Sequence, residues 1–227
     1  MAYTYSTFVT ALATALVVDE TDSDFVALLP TIIDDAEQRI YRELDLVSAS
    51  VVVNGATVPN DHYIALPQSS GHIVVVDTIN IIISGARTRL LATTKDVIDY
   101  LWPLDVPTTP YTPPMLFYRL DDTRCYIGPV PNAVYVAEIT GTIRPLPLTS
   151  SNGATFLTTY LSDLFFAAAM CSAAGTLLKN YGALAEDPQS AMSWETQYQV
   201  RMSSAKSEEL RKLFVSANSP LPASVKA

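Results

Sequence analysis

Apolar residues near the N-terminus recur at the spacing of an α-helix. One helical face collects Tyr5, Phe8, Val9, Leu12 and Leu16. A polar break over residues 19–24 follows, and a second stripe then returns at three- and four-residue spacing: Phe25, Leu29, Ile32, Ile33, Ala36, Ile40 and Leu44. The two stripes predict two amphipathic helices, each burying its apolar face.

From residue 49 the pattern changes to β-branched residues separated by turn residues, which is typical of strands. The candidate strands cover 50–53, 62–66, 72–83, 87–92, 115–120, 123–128 and 133–144. In the last of them Tyr135, Ala137, Ile139 and Ile143 face one way, and Glu138, Thr140, Thr142 and Arg144 face the other. This alternation predicts a strand with one buried face.

Residues between these candidate strands predict two turns, a short helix and a loop. Asn54-Gly55 predicts a tight turn, and residues 84–86 predict a hairpin. A short helix is predicted near 94–102, capped by a threonine. The five prolines of 103–114 predict a surface loop with extended stretches.

Helical spacing returns in the C-terminal third. Residues 155–181 are apolar nearly all round, which predicts a central buried helix. Asp187 and Pro188 combine an N-cap with a first-turn proline, so a further helix is expected from there to about Phe214. Residues 215–227 hold too few apolar positions to form a core and are predicted as an extended tail.

The apolar stripes of the helices at both ends of the chain have to be buried away from water, and the helices can achieve this by packing against each other. The sequence therefore predicts an α+β fold, in which residues 1–47 and 150–214 form a helical bundle and residues 48–149 form an inserted antiparallel β lobe.

The negative charge of the chain argues against partners that are themselves anionic. The formal net charge is −9, and residues 1–38 contain seven acids and no lysine or arginine. Tight binding to nucleic-acid phosphates depends on lysine and arginine, so the chain is a poor candidate for gripping DNA or anionic lipid. With 49% hydrophobic and 16% charged residues, the composition favours additional burial against other subunits.

Motifs for common chemistries are missing from the sequence. Two cysteines (Cys125, Cys171) and two histidines (His62, His72) are too widely spaced for a typical zinc site. No GxSxG elbow, phosphate-binding glycine loop or ExxH repeat occurs. The apolar N-terminal stretch has no basic region, so a signal peptide is not expected. The longest apolar run, 164–178, is shorter than the roughly 20 residues of a membrane span.

The segment IIDDAEQRIYREL, residues 32–44, is the one dense cluster of acids. It allows three interpretations: a solvated helix face, a strip of salt bridges between subunits, or a metal or catalytic site. The interface interpretation uses Asp35, Arg39, Arg42 and Glu43. The enzyme interpretation is a metal-dependent hydrolase that uses Asp34, Asp35 and Glu37. Acid before base at i,i+4, as in Asp35 and Arg39, is typical of an exposed helix face.

A ligand-binding module is a further alternative, based on aromatic residues of the β lobe. Those residues are Tyr111, Phe117, Tyr118, Tyr126 and Tyr135. Such residues pack sheets more often than they bind sugars or peptides.

Several segments, taken in order, carry a resemblance to a known family. They are YSTFVTALATAL and DFVALLPTIIDDAEQRIYRELD, then YIALPQS, LLATTKDVIDYLWP and GPVPNAVYVAEITGTIRPLPL, and finally FLTTYLSDLFFAAAMCSAAGTLLKN and MSWETQYQVRMSSAKSEELRK. They resemble the head-to-tail adaptors of tailed phages, the ring-forming head-completion or tail-tubular-A-like connectors. The resemblance extends over nearly the whole chain.

This resemblance implies a structural protein of the virion, located at the head–tail junction, with no catalytic residues, cofactor or membrane partner. Its expected partners are the portal protein, a tail or nozzle protein, and further copies of itself in a ring, usually twelvefold. DNA would pass through the ring without specific binding. The chain departs from the family in its long tail, which is expected to dock on the portal through Phe214, Pro220, Leu221, Pro222 and Val225.

Overall fold

The computed structural model of the protein describes residues 2–104, 106–107, 112–174 and 188–217. The fold is mixed α+β, as the sequence predicts. The chain divides into two compact units, which we call the helical unit (residues 1–48 and 146–227) and the β unit (residues 49–145).

The described residues form six α-helices and eight strands. In chain order the helices are α1 (Tyr5–Leu16), α2 (Ser23–Glu43), α3 (Lys95–Leu101), α4 (Phe156–Tyr160), α5 (Ser162–Ser172) and α6 (Pro188–Ala217). The strands are β1 (Ser50–Ala56), β2 (Tyr63–Ala65), β3 (Gly71–Ile83), β4 (Ala86–Arg89), β5 (Leu91–Ala92), β6 (Leu116–Arg119), β7 (Arg124–Gly128) and β8 (Val136–Pro145).

Side-chain caps define where the first two helices begin. Thr4 precedes α1 and exchanges hydrogen bonds with Thr7, so that each side chain accepts the other's backbone N–H. The carboxylate of Asp22 accepts the N–H groups of Asp24 and Phe25 at the start of α2. The predicted stripes are confirmed, because their central members are buried: Phe8, Leu12 and Leu16 in α1, and Phe25, Leu29, Ile32, Ile33, Ala36 and Ile40 in α2.

Helix α5 is buried and packs against α1, α2, α4 and α6. Its Phe165 stacks on Phe8 of α1 with ring centroids 4.7 Å apart. The prediction of one continuous helix over 155–181 is wrong at its start. The backbone leaves helical geometry at Leu161 (φ −122°, ψ 37°), which separates α4 from α5. Residues 175–181 of that prediction lie outside the described residues.

Helix α6 buries one apolar face. Tyr198, Met202 and Ala205 are buried, while Trp194 is half-buried against Phe166. The helix continues to residue 217, three residues past the predicted end. The predicted N-cap, residue 187, lies outside the described residues.

The β unit contains two four-stranded sheets. Their strand orders are β1-β8-β3-β4 and β2-β7-β6-β5, and every pairing is antiparallel except that of β5 with β6. Apolar residues from strands of both sheets meet in one core: Ile64, Ile73, Ile79, Ile81, Phe117, Ile127, Ala137, Ile139 and Ile143. The predicted alternation of β8 is confirmed, with Ala137, Ile139 and Ile143 buried.

Two predicted boundaries in the β unit are wrong. Asn54-Gly55 is not a turn, because both residues lie within β1 and pair with β8 opposite Glu138 and Ala137. The predicted strand 87–92 is divided at the buried Leu90 into β4 and β5, which belong to different sheets.

Other predicted features of the β unit agree with the structure. The hairpin at 84–86 is confirmed, with positive φ at Ser84 and Gly85. The short helix is confirmed as α3, with Thr94 at its N-cap position, although the Thr94 side chain makes no capping hydrogen bond. Parts of the proline-rich loop, at 105 and 108–111, lie outside the described residues.

Candidate functional site

The three carboxylates of the enzyme interpretation point to three different partners. Asp34 accepts a hydrogen bond from Gln38 at 2.5 Å. Asp35 accepts one from the Ser172 hydroxyl of α5 at 3.0 Å. Both acids are exposed, whereas Glu37 is buried and faces the other way. The three oxygens therefore do not converge as ligands of one metal ion.

Glu37 accepts a hydrogen bond from the backbone just after the β unit ends, at Leu148. It is 4% exposed, and its Oε1 accepts the N–H of Leu148 at 3.1 Å. Burial raises the pKa of Glu37 to about 7, against the lowering effect of that hydrogen bond. The sequence pattern places Glu37 at the edge of the apolar stripe, and the structure places it inside.

A second buried carboxylate accepts a hydrogen bond from the backbone just before the β unit begins, at Val47. Glu209 of α6 is 3% exposed, and its Oε2 accepts the N–H of Val47 at 3.0 Å. The Lys212 ammonium donates to the other oxygen at 2.6 Å. Within the helical unit, buried acids thus bind the backbone N–H groups of Val47 and Leu148. Nothing in the sequence spacing indicated these pairings.

Arg39 is the centre of a charged cluster within the helical unit. Its two terminal nitrogens donate to the Glu195 carboxylate at 2.8 and 2.6 Å, and its Nε donates to Glu43 at 3.1 Å. The guanidinium also lies over the Tyr198 ring, 3.9 Å from the centroid. The expected pairing of Arg39 with Asp35 is wrong, because all three guanidinium nitrogens are used by Glu195 and Glu43.

The hydrogen bonds to Arg39 lower the pKa of Glu195 to about 2, with a smaller contribution from Gln199. A bidentate pair of this kind fixes orientation as well as position. Glu195 and Tyr198 are partners of Arg39 that no local pattern in the sequence indicates, since they lie more than 150 residues from it along the chain.

Arg42 belongs to a different and more exposed group. It donates to Gln38 at 2.5 Å, and Gln38 in turn donates to Asp34. Of the predicted interface residues, the structure therefore brings together only Arg39 and Glu43. Asp35 and Arg42 face solvent separately.

Exposed apolar residues mark the end of α6. Leu210, Leu213 and Phe214 are 54%, 46% and 64% exposed. Of the predicted docking tail, Phe214 lies in this stretch, whereas Pro220, Leu221, Pro222 and Val225 lie outside the described residues.

The histidines occupy separate environments in the β unit. His62 is buried, stacks on Tyr126 with centroids 4.7 Å apart, and has its Nδ1 2.9 Å from the Ile127 carbonyl oxygen. His72 is more exposed and lies 3.1 Å from Gln68. His62 is therefore a buried, hydrogen-bonded side chain of the β unit.

The aromatic residues of the ligand-binding alternative pack the sheets. Phe117 and Tyr126 are buried, and Tyr118 and Tyr135 are half-buried. Tyr111 lies outside the described residues.

The described part of the chain lacks two kinds of feature. No group of three or more His, Cys, Asp or Glu side chains is arranged there to hold a metal ion. None of the helices described combines the length and apolar character that crossing a membrane requires.

Comparison with known proteins places the chain in a family. A search of curated proteins found no match. A family model described as SU10 adaptor protein matches residues 3–221, which is nearly the whole chain. The chain therefore belongs to the SU10 adaptor protein family, a family of phage head–tail adaptors.

Proposed function

We propose that the protein is one subunit of a homo-oligomeric ring, usually twelvefold, that joins the phage portal to the tail and lets DNA pass. The observation that carries this proposal is the family match over residues 3–221. In the virion the ring completes the head and contacts a tail or nozzle protein on its other side. The helices of both chain ends form the bundle that supports it, with residues 49–145 as the inserted lobe.

The distribution of acids supports passage of DNA without binding. Within residues 1–38, five acids are exposed: Asp19, Glu20, Asp24, Asp34 and Asp35. No lysine or arginine is present in that range to neutralise phosphate. A surface of this charge facing the channel repels the DNA backbone and leaves it free to slide.

Exposed charge on α2 supports a contact between neighbouring subunits. Asp35 and Arg42 face solvent, and Arg39 and Glu43 are half-exposed beside them. We assign the outward-facing pair to the interface and the Arg39 cluster to the fold of the single subunit. Reversing the charge by Arg42→Glu should stop ring formation while leaving the subunit folded.

Attachment to the portal is assigned to the end of α6 and the residues beyond it. Phe214 is 64% exposed, although it is a large aromatic residue. The sequence continues with Pro220, Leu221, Pro222 and Val225, whose apolar side chains suit clefts on a partner. A chain lacking residues 218–227 should attach more weakly to the portal and keep its thermal unfolding midpoint.

The test of the whole proposal is mixing with purified portal protein. Native mass spectrometry or mass photometry should show a complex with the mass of a portal plus a ring of adaptor subunits. The Arg42→Glu variant and the truncated chain, both checked for folding by circular dichroism, serve as matched controls. A protein that stays monomeric and never joins portal would contradict the proposal.

A further inference from the structure

Two helices of the helical unit carry polar strips with the same spacing. Each strip contains three residues: Asp35, Gln38 and Arg42 on α2, and Arg201, Ser204 and Glu208 on α6. Steps of three and four residues return to nearly the same side of an α-helix, so each strip lies on one face. We call them the α2 strip and the α6 strip.

The charges of the two strips run in opposite order. From its N-terminal end, the α2 strip reads acid, amide, base, whereas the α6 strip reads base, hydroxyl, acid. The charged residues of each strip are seven positions apart (35 to 42 and 201 to 208). This separation is about 10 Å along a helix, at 1.5 Å per residue. Two such helices side by side in the same direction place Asp35 against Arg201 and Arg42 against Glu208 at the same time.

The two strips are available to another molecule. Among the described residues, no hydrogen bond or ion pair joins one strip to the other. Arg42 donates to Gln38 on its own helix, and Glu208 accepts from Lys212 on its own helix. The side chains of Arg201 and Glu208 are 31% and 52% exposed. Both strips therefore keep charged groups at the surface of the single subunit.

The α6 strip forms one wall of a groove, which we call the α6 groove. The opposite wall is the end of α4 and the start of α5. Tyr160 on that wall and Val200 on the α6 wall are 72% and 61% exposed. The volume is about 280 Å³, below the roughly 300–1,000 Å³ of sites that enclose small molecules. Large exposed apolar residues beside charges suit a second protein surface that covers them.

The charges of the α6 groove argue for a partner that carries both signs. Arg201 and Arg211 supply two bases, and Asp163 and Glu208 supply two acids. A partner surface of one sign would face like charge at some point along the groove, which is unfavourable. The α2 strip has both signs, in the order and at the distance that the α6 strip requires.

We propose that the α6 groove binds the α2 strip of a second copy of this chain. The inference rests on the proposed ring function and names the surface that meets Asp35 and Arg42 in the neighbouring subunit. One copy contributes α2 and the next contributes α6, so the contact is head-to-tail. Such a contact uses different surfaces on its two sides, and it therefore continues from subunit to subunit until a ring closes.

Exchange of charge across the contact tests the inference. The single variants Arg42→Glu and Glu208→Arg should each raise the subunit concentration needed for half-maximal complex with purified portal protein by at least about tenfold, because like charges then oppose each other. The double variant Arg42→Glu/Glu208→Arg should restore the complex. Mass photometry measures the complexes, and circular dichroism checks that every variant is folded.

The matched control is the double variant Arg42→Glu/Glu20→Arg. It has the same net charge as the exchanged pair, but it alters an exposed acid outside both strips. This control should remain as defective as Arg42→Glu alone. Restoration to the level of the exchanged pair would show that net charge controls assembly, and it would overturn the contact.

The second charge pair gives an independent check. Asp35→Arg and Arg201→Glu should each weaken the complex, and the two changes together should restore it. This pair decides the question if Glu208→Arg does not fold.

Failure of the contact and failure of the ring function give different results. An unaltered chain that never forms a ring-sized complex with portal contradicts the ring function. An unaltered chain that assembles, while neither exchanged double variant is restored, contradicts the contact alone. A folded Glu208→Arg variant that assembles as well as the unaltered chain would also overturn the contact.

Discussion

Arg39 and Glu195 form two parallel hydrogen bonds, at 2.8 and 2.6 Å, although 156 residues separate them in the sequence. This pair connects α2 to α6 within the helical unit, and the Arg39 guanidinium lies over the buried Tyr198 ring. Both side chains keep partial access to solvent, 30% for Arg39 and 44% for Glu195. Its contribution should therefore fall between that of a surface pair and that of a buried one.

The coupling between these two residues is the first expected result. A double-mutant cycle with Arg39→Gln and Glu195→Gln, measured by urea unfolding, should give about 1 kcal/mol of interaction free energy. The matched control is the looser pair of Arg201 and Asp163, whose charged atoms are 3.9 Å apart. That cycle, with Arg201→Gln and Asp163→Asn, should give close to zero. Equal interaction free energies in the two cycles would contradict the expectation that the Arg39–Glu195 pair is the stronger one.

The same pair should make the free energy of unfolding depend on pH in the acid range. The pKa of Glu195 is held at about 2 in the folded protein by Arg39, below the ordinary value of 4.5. The unfolded chain therefore takes up this proton first, so the stabilisation is present above about pH 4.5 and is lost as pH falls toward 2. Arg39→Gln should make the unfolding free energy decline less steeply over that range. Parallel curves for the variant and the unaltered protein would contradict this.

Glu37 should have the opposite dependence on pH. Its pKa is raised from 4.5 to about 7 by burial, so the folded protein holds the proton that the unfolded chain has released. The free energy of unfolding should fall as pH rises from about 4.5 to 7, by up to about 3 kcal/mol.

Glu37→Gln tests this dependence, because the amide oxygen can still accept the Leu148 N–H while carrying no charge. Urea unfolding at pH 5, 6, 7 and 8 should show that the variant loses most of the decline. Glu20→Gln, at an exposed acid, should retain it. A decline of equal size in Glu37→Gln would show that another group is responsible.

Glu209 and its neighbour Glu208 provide a matched comparison. Both carboxylates accept from Lys212, at 2.6 and 3.0 Å, but only Glu209 is buried and bonded to the Val47 N–H. Glu209→Ala should lower the free energy of unfolding by roughly 1–3 kcal/mol, because it removes a charged acceptor from a buried position. Glu208→Ala should change it by less than about 0.5 kcal/mol. Thermal unfolding of both variants measures this difference, and similar losses of stability would contradict the role assigned to the buried hydrogen bond between Glu209 and the Val47 N–H.

Gly141 is expected to be intolerant of a side chain. A Cβ at this position in β8 would lie 2.2 Å from the carbonyl oxygen of Val75, where the pairing with β3 is irregular. Gly141→Ala should destabilise the β unit by about 1–3 kcal/mol. Gly153 has no atom within 4 Å of the corresponding position, so Gly153→Ala should be nearly neutral. Measured unfolding midpoints that do not differ between the variants would disprove this reading of β8.

Local patterns in the sequence were sufficient for most elements of the fold. The stripe from Phe25 to Ile40 predicted α2, and the alternation around Ile139 predicted the buried face of β8. Both predictions depend on the spacing of apolar residues, which can be read within a single segment without knowledge of its distant partners. The same patterns placed Glu37 at the edge of the stripe, since its partner, the Leu148 N–H, lies far away along the chain.

Errors arose where tertiary packing overrides local preference. Gly55 looks like a turn residue, but the strand brings it against the Ala65 carbonyl oxygen, 3.4 Å from where a Cβ would be. The break at Leu161 has no proline or glycine to signal it. For the candidate site, the sequence showed that charges gather on α2. It could not show that Glu195 is the partner of Arg39, because nothing local relates α2 to α6.

The first and last strands of residues 49–145 are neighbours in one sheet, with Ser50 paired to Thr142. Paired residues in antiparallel strands have Cα atoms about 4.5–5.5 Å apart. The strands that begin and end residues 49–145 therefore lie side by side, and within the helical unit Glu209 and Glu37 hold the backbone at residues 47 and 148. A chain with a larger, smaller or different insertion could keep the helices of the helical unit unchanged, because the two ends of the insertion would still lie side by side.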